Sequence, residues 1–146
     1  MAHTITGHTI INGARNLVLQ FNIQSDAASG QYADYELFNL DDYTGADARV
    51  SNDFTVKKLS VQTSVGAGVE LKFGATGGDH KTFYLTPINT ADGSDTFREY
   101  DEGGLSSLLA NPDRTIRVTS LGLDASGDWI SVTLWIKKKF AQQLVA

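Results

Sequence analysis

Three stretches of this chain alternate apolar and polar side chains with a period of two, and that pattern leaves few folds open. Leu17, Leu19, Phe21 and Ile23 alternate with Val18, Gln20, Asn22 and Gln24. Val69, Leu71, Phe73 and Ala75 alternate with Glu70, Lys72 and Gly74. Ile130, Val132, Leu134 and Ile136 alternate with Trp129, Ser131, Thr133, Trp135 and Lys137. Successive side chains of a strand point to opposite sides, so each stretch has one face to bury and one to leave outside. Wound as helices, the same windows would scatter polar groups into a core.

Weaker strands fill the rest. Tyr35 and Leu37 share a face. Phe54 to Val65 reads as one long strand, but Phe54 and Val56 have one parity and Leu59, Val61, Thr63 and Val65 the other. That break at Lys57-Lys58 predicts a β-bulge or a crossing between sheets. Val65-Gly66-Ala67-Gly68 reads as a hairpin turn into the Val69 strand. Lys81 to Thr86, Thr96 to Tyr100 and Thr115 to Leu121 are further strands, the last followed by a turn through Asp124 to Asp128. Leu105, Leu108 and Leu109 fall at i, i+3 and i+4, which predicts one or two helical turns over Gly104 to Ala110. With Ile5 to Ile11 as an edge or an arm, eight or nine short strands result. The predicted class is all-β, a β-sandwich of jelly-roll type with at most one short helix. The 146 residues suit one domain. Residues 1–12 are expected as an N-terminal arm, 13–138 as the sandwich and 139–146 as a C-terminal tail.

Charge and residue types then exclude function classes. Lys plus Arg is 12 against 17 Asp plus Glu, a net −5 that argues against nucleic acid as partner. The absence of cysteine removes disulfides, thiolate metal sites and cysteine nucleophiles. No apolar run approaches the ~20 residues of a membrane helix. Met1 to Gly13 has no apolar stretch of signal-peptide length. His3, His8 and His80 read as solvated loop histidines, because zinc needs three or four ligands at partner spacing. Asp92-Gly93-Ser94-Asp95, with Glu99, Asp101 and Glu102 downstream, is the densest run of oxygen ligands, and Asp41, Asp42 and Asp47 form a weaker one. Neither has EF-hand spacing, and both also read as ordinary turns, so a structural calcium near Asp92 to Asp95 stays open. Carboxylates such as Asp41, Asp95 and Asp101 have no fixed separation for glycoside hydrolysis. Nucleophile-elbow and phosphate-loop signatures are absent. The expectation is a protein without catalysis, metal or cofactor.

What remains is adhesion. Trp129 and Trp135 share the face opposite their strand's aliphatic residues, with Ser131 and Thr133 between them. That face of a lone sandwich should be polar, so two indoles there point either to contact with a second chain or to a Trp lying under a loop or over the sandwich edge. Lys137-Lys138-Lys139 reads as a solvated strand end that discourages edge pairing, or as a basic patch for an acidic surface. Ile5 and Ile10 in the head and Phe140 in the tail complete the interface candidates, in ends that are either disordered or ordered by pairing with a neighbouring subunit.

The stretch Ile11-Asn12-Gly13-Ala14-Arg15-Asn16-Leu17-Val18-Leu19-Gln20-Phe21-Asn22-Ile23-Gln24-Ser25-Asp26 resembles the start of a group of small virion structural proteins of tailed bacteriophages. Asp34-Tyr35, Phe54-Thr55-Val56-Lys57-Lys58-Leu59, Gly103-Gly104-Leu105 and Ser120 to Asp128 fit the same pattern. The resemblance spans about Ile11 to Lys138 and is one of pattern, not of a catalytic motif. It implies a capsid cement, or decoration, protein: a sandwich on the outside of the major capsid protein lattice that stabilises joints between capsomers. The implied partners are the major capsid protein and further copies of this chain, as dimer or trimer. The implied location is the capsid exterior, after assembly in the host cytoplasm. The alternative is a carbohydrate-binding or structural β-sandwich module of a phage tail, neck or fibre. There Trp129, Trp135, Tyr32, Tyr35 and Tyr43 would stack on sugar rings. Aromatics exposed in a row favour sugar; aromatics covered at a seam favour cement.

Overall fold

The alternating segments pair edge to edge and close into two antiparallel layers. The computed structural model describes residues 3–13, 15–27, 30–43, 51–86, 93–100, 104–109 and 111–140, with backbone alone at 51, 52 and 140. The strands are β1 (Thr4–Asn12), β2 (Asn16–Gln24), β3 (Tyr35–Asn39), β4 (Ser51–Thr63), β5 (Gly68–Ala75), β6 (Lys81–Leu85), β7 (Asp95–Glu99), β8 (Pro112–Leu121) and β9 (Trp129–Phe140). A single 3-10 turn, Leu40–Tyr43, follows β3 among the described residues. One sheet has the order β1-β2-β9-β4-β7 and the other β3-β8-β5-β6. Strands β2 with β9, β3 with β8, β4 with β7 and β5 with β6 form nested antiparallel pairs. This is a double strip rolled over so that its parts lie in facing sheets, the jelly-roll arrangement. The protein is an all-β sandwich of that type.

The core lies between the sheets. Leu17, Leu19, Ile23, Leu59, Ile130 and Leu134 enter from the five-stranded sheet, and Leu71, Phe73, Ile116 and Val118 from the other; none is more than 1% exposed. Each such side chain contributes about 1.5–3 kcal/mol by leaving water. Strand β4 keeps one sheet throughout. Val56 lies opposite inward-facing Ile136 and Lys58 opposite outward-facing Trp135, with a register shift between them. The predicted parity break is therefore a bulge and not a crossing.

Three expectations need correction. Residues 104–109 hold no helix: Leu105 exchanges backbone hydrogen bonds with Val56 at 2.8 and 3.0 Å. Leu108 has φ 54, a left-handed conformation a helix cannot pass through. Leu105 and Leu109 still pack on the core, so helix-like spacing arises from a strand bridge and irregular chain. Gly104 permits the bridge: at φ +101, a Cβ there would sit 2.9 Å from the Val56 carbonyl oxygen. At the N-terminal end, Thr4–Asn12 is an edge strand and not a free arm. It is paired with β2 from Thr4 opposite Gln24 to Asn12 opposite Leu17, because Ile5, opposite Ile23, packs against the core. Strand β9 continues to Phe140, past the expected boundary at 138.

Candidate functional site

The pairing registers fix what the outer side of the five-stranded sheet presents. Residues paired across neighbouring strands project on the same side, so that face is built of transverse rows. At one end Ile11, Val18, Trp135, Lys58 and Glu99 form a row across β1, β2, β9, β4 and β7. The next is His8, Gln20, Thr133, Ser60 and Phe97, and the next Thr6, Asn22, Ser131, Gln62 and Asp95. Thr4, Gln24 and Trp129 close the far end. The two tryptophans are six residues apart on one strand, about 20 Å at the usual rise.

In the middle rows Asp95 is the acid, at the β7 edge, where it accepts from Gln62 at 3.5 Å, and the remaining polar groups are largely unengaged. Gln20, Asn22, Ser60, Ser131 and Thr133 make no side-chain hydrogen bond among the described residues, whereas Gln24 donates to the Ser126 carbonyl at 2.8 Å. Amides and hydroxyls left in that state offer paired donors and acceptors to a ligand. One aromatic end is open and the other is partly covered. Trp129 is 39% exposed and Phe97 54%, and Phe97 meets half-buried Trp135 edge-on at 6.1 Å between ring centroids. A recess of about 310 Å³ opens beside Trp135, walled by Ile11 and Val18 and flanked by Lys57 and Lys58.

Of the expected contact residues, Trp129, Trp135, Lys137 and Lys139 project outward from β9. Ile10, at the β1 irregularity, is 56% exposed. Of the others, Ile5 is partly buried and Lys138 is buried. Ile5 packs inward. Lys138 continues the inward parity of Ile136 and is 3% exposed. Its Nζ donates to Tyr43 O at 2.7 Å, Asn12 Oδ1 at 2.8 Å and Gly13 O at 3.0 Å, and burial lowers its pKa. It is a clamp between the β1–β2 turn and the 3-10 turn, not part of a basic patch. The side chain of Phe140 lies outside the described residues.

The histidine expectation also needs correction. His3 is 6% exposed. Its Nδ1 accepts from Asp26 N at 3.1 Å and its Nε2 donates to the Gly30 carbonyl at 2.8 Å, so the ring is a bridge between segments. His80 is half-buried and accepts from Ala75 N at 2.9 Å, closing the β5–β6 turn. His8 is exposed on β1. No three His, Asp or Glu side chains gather as metal ligands among the described residues. Asp47, Asp92, Asp101 and Glu102 lie outside them, and Asp41 pairs with Arg114 at 3.1 Å. Tyr32 packs on the core beside His3 and Tyr35, and Tyr43 stacks on Phe38 at 5.5 Å, so neither joins the tryptophan row.

Sequence reasoning named the tryptophans but not the amides between them or Phe97. The signal was in the polar half of the same alternation, which was read only as the solvent side.

No family model matches the chain, and no curated protein does. Among solved structures, a mutant of the family 29 carbohydrate-binding module CBM29-2 overlaps 92% of this chain and 92% of its own, at 7% identity and a TM-score of 0.35. The CBM22-1 xylan-binding domain of Paenibacillus barcinonensis Xyn10C overlaps 97% of this chain and 83% of its own, at 12% identity and a TM-score of 0.34. The jelly-roll assignment rests on strand pairing and not on these overlaps.

Proposed function

We propose that this chain is a non-catalytic binding module whose working surface is the outer face of the five-stranded sheet, and that the ligand of that face is a polysaccharide. One observation carries this: Gln20, Asn22, Ser60, Ser131 and Thr133, which make no side-chain hydrogen bond among the described residues, lie between exposed Trp129 and the half-buried Trp135 that meets exposed Phe97. A pyranose has an apolar C–H face that covers an indole and a rim of hydroxyls that both donate and accept. Gln20 and Asn22 can each donate and accept toward neighbouring hydroxyls. The strand pairing positions these side chains before any ligand arrives, so little ordering cost remains. Calorimetry against linear neutral hexasaccharides, cellohexaose and xylohexaose first, tests the proposal. Binding that Trp135→Ala weakens supports it. A glycan panel without a single binder overturns it.

A second reading keeps the surface and changes the ligand to a virion shell. The observation favouring it is the β1 edge: nine residues without an Asp, Glu, Lys or Arg, with Ile10 56% and Ile11 50% exposed beside the Trp135 recess. An open, uncharged strand edge next to an apolar patch takes a protein strand readily. On this second reading, which the resemblance to phage virion proteins supports, the chain would be a capsid cement protein on the capsid exterior, joining major capsid subunits as an oligomer. Shells lacking the chain should then bind it and gain heat resistance. Zero occupancy on such shells rejects this reading.

A further inference from the structure

We infer that the Trp135 end of this face is a subsite for a carboxylated sugar, a hexuronate, held by Lys57 and Lys58. The inference rests on the polysaccharide reading above and names its ligand class. In a regular strand one of two consecutive lysines would point into the core. Here the β4 bulge inserts Lys57 as an extra residue between Val56, opposite Ile136, and Lys58, opposite Trp135. Both lysines then line the same recess as Trp135, Ile11 and Val18. Bulges re-aim side chains in this way, at the expense of one unpaired residue in the ladder.

Two neighbouring ammonium groups repel, and the surroundings relieve this only in part. Lys58 has Glu99 at 3.9 Å, an exposed pair with side chains 40% and 59% accessible, which is weak. Lys57 has no ion pair among the described residues. Lys137 projects from the same face one turn of the pleat beyond Trp135, opposite Asn16 and Thr55. A protein of net charge −5 thus concentrates cations beside its aromatic recess. An occupant complementary to that recess has an apolar ring face for Trp135 and an anionic group directed at β4. A pyranose with a carboxylate at C6 has both, and its carboxylate accepts charge-assisted hydrogen bonds from the two lysines.

The test compares β-1,4-linked hexaglucuronate with cellohexaose, which differ only in the oxidation state of C6, by calorimetry on the full chain. Hexaglucuronate is expected to bind about tenfold tighter or more, since a hydrogen bond to a charged group contributes about 1.5–3 kcal/mol. The ratio should shrink in high salt, because the site is open to screening. In Lys57→Met, and in the Lys57→Met/Lys58→Met double variant, the ratio should fall to about twofold or less. Circular dichroism and thermal melting confirm that the variants are folded. Cellohexaose binding with a ratio near one in the unsubstituted protein overturns the inference and leaves the polysaccharide reading standing. A ratio unmoved by either variant overturns it as well. Binding of neither sugar overturns the inference, and the glycan panel then decides the polysaccharide reading.

Discussion

The outer side of the four-stranded sheet carries its charges in mutual pairs. Lys72 lies 2.6 Å from Asp34 and 3.7 Å from Glu70, and Arg117 lies 3.2 Å from Asp113 and 4.0 Å from Glu36. Thr82 donates to Glu70, and Thr119 to Asp34. The outer side of the five-stranded sheet carries Asp95 at its β7 edge, accepting from Gln62 at 3.5 Å, while Gln20, Asn22, Ser60, Ser131 and Thr133 in its middle make no side-chain hydrogen bond among the described residues. Both faces come from the same alternation of strand side chains, yet one pairs most of its charged groups internally and the other leaves its amides and hydroxyls largely unpaired. A self-paired face gains little from a ligand, which must first break what is there. An unengaged face loses only water. The contrast is the physical reason for proposing the binding surface on one sheet and not on the other.

The sharpest way to break the contrast is to compare neighbours on β9. Leu134 is fully buried, so Leu134→Ala should cost about 2–5 kcal/mol of stability in urea melts. Trp135→Ala should leave stability within about 1 kcal/mol and weaken glycan binding by about 2 kcal/mol, near thirtyfold, in calorimetry. If the two substitutions exchange these phenotypes, the face is structural.

A smaller effect is expected from the middle rows. Asn22→Ala or Gln20→Ala should each weaken binding by about 1 kcal/mol, roughly fivefold, with the melting temperature nearly unchanged. The smallest belongs to the opposite face. Lys72→Met should leave binding alone and cost under about 1 kcal/mol of stability, since the Asp34 side chain is 42% exposed.

That last pair also sets a pH signature. The hydrogen bond from Lys72 holds the Asp34 carboxyl below its ordinary 3.8. Its contribution to stability is therefore present above that value and lost as pH falls through the folded pKa. The same bond raises Lys72 above 10.5, so its contribution is present below that value and lost as pH rises through the folded pKa. Melting curves of Lys72→Met should show a weaker pH dependence at both ends. An unaltered profile would mean the pair contributes nothing.

Particular residues show how far the sequence could be read. Strands β2, β5 and β9 were legible because each has four apolar residues on one parity. The β4 bulge was legible because the parity changes at Lys57-Lys58. Lys138 was misjudged although its parity, continuing Ile136, already placed it inside; three oxygen acceptors, supplied by distant turns, are what make that position tolerable. Residues 104–109 misled because Leu105 and Leu109 meet the core at helix-like spacing without a helix. His3 misled because the partners of its ring, Asp26 N and Gly30 O, come from other segments.

The period-two pattern by itself determined that the chain forms strands, which side of each is buried, where β4 is irregular, and hence a sandwich. These are local properties, carried by the order of side chains along one strand. Which outward positions stand next to one another was decided only by the tertiary structure. Register across β1, β2, β9, β4 and β7 brings together residues more than a hundred positions apart. A site made of rows across strands exists only once those registers are set.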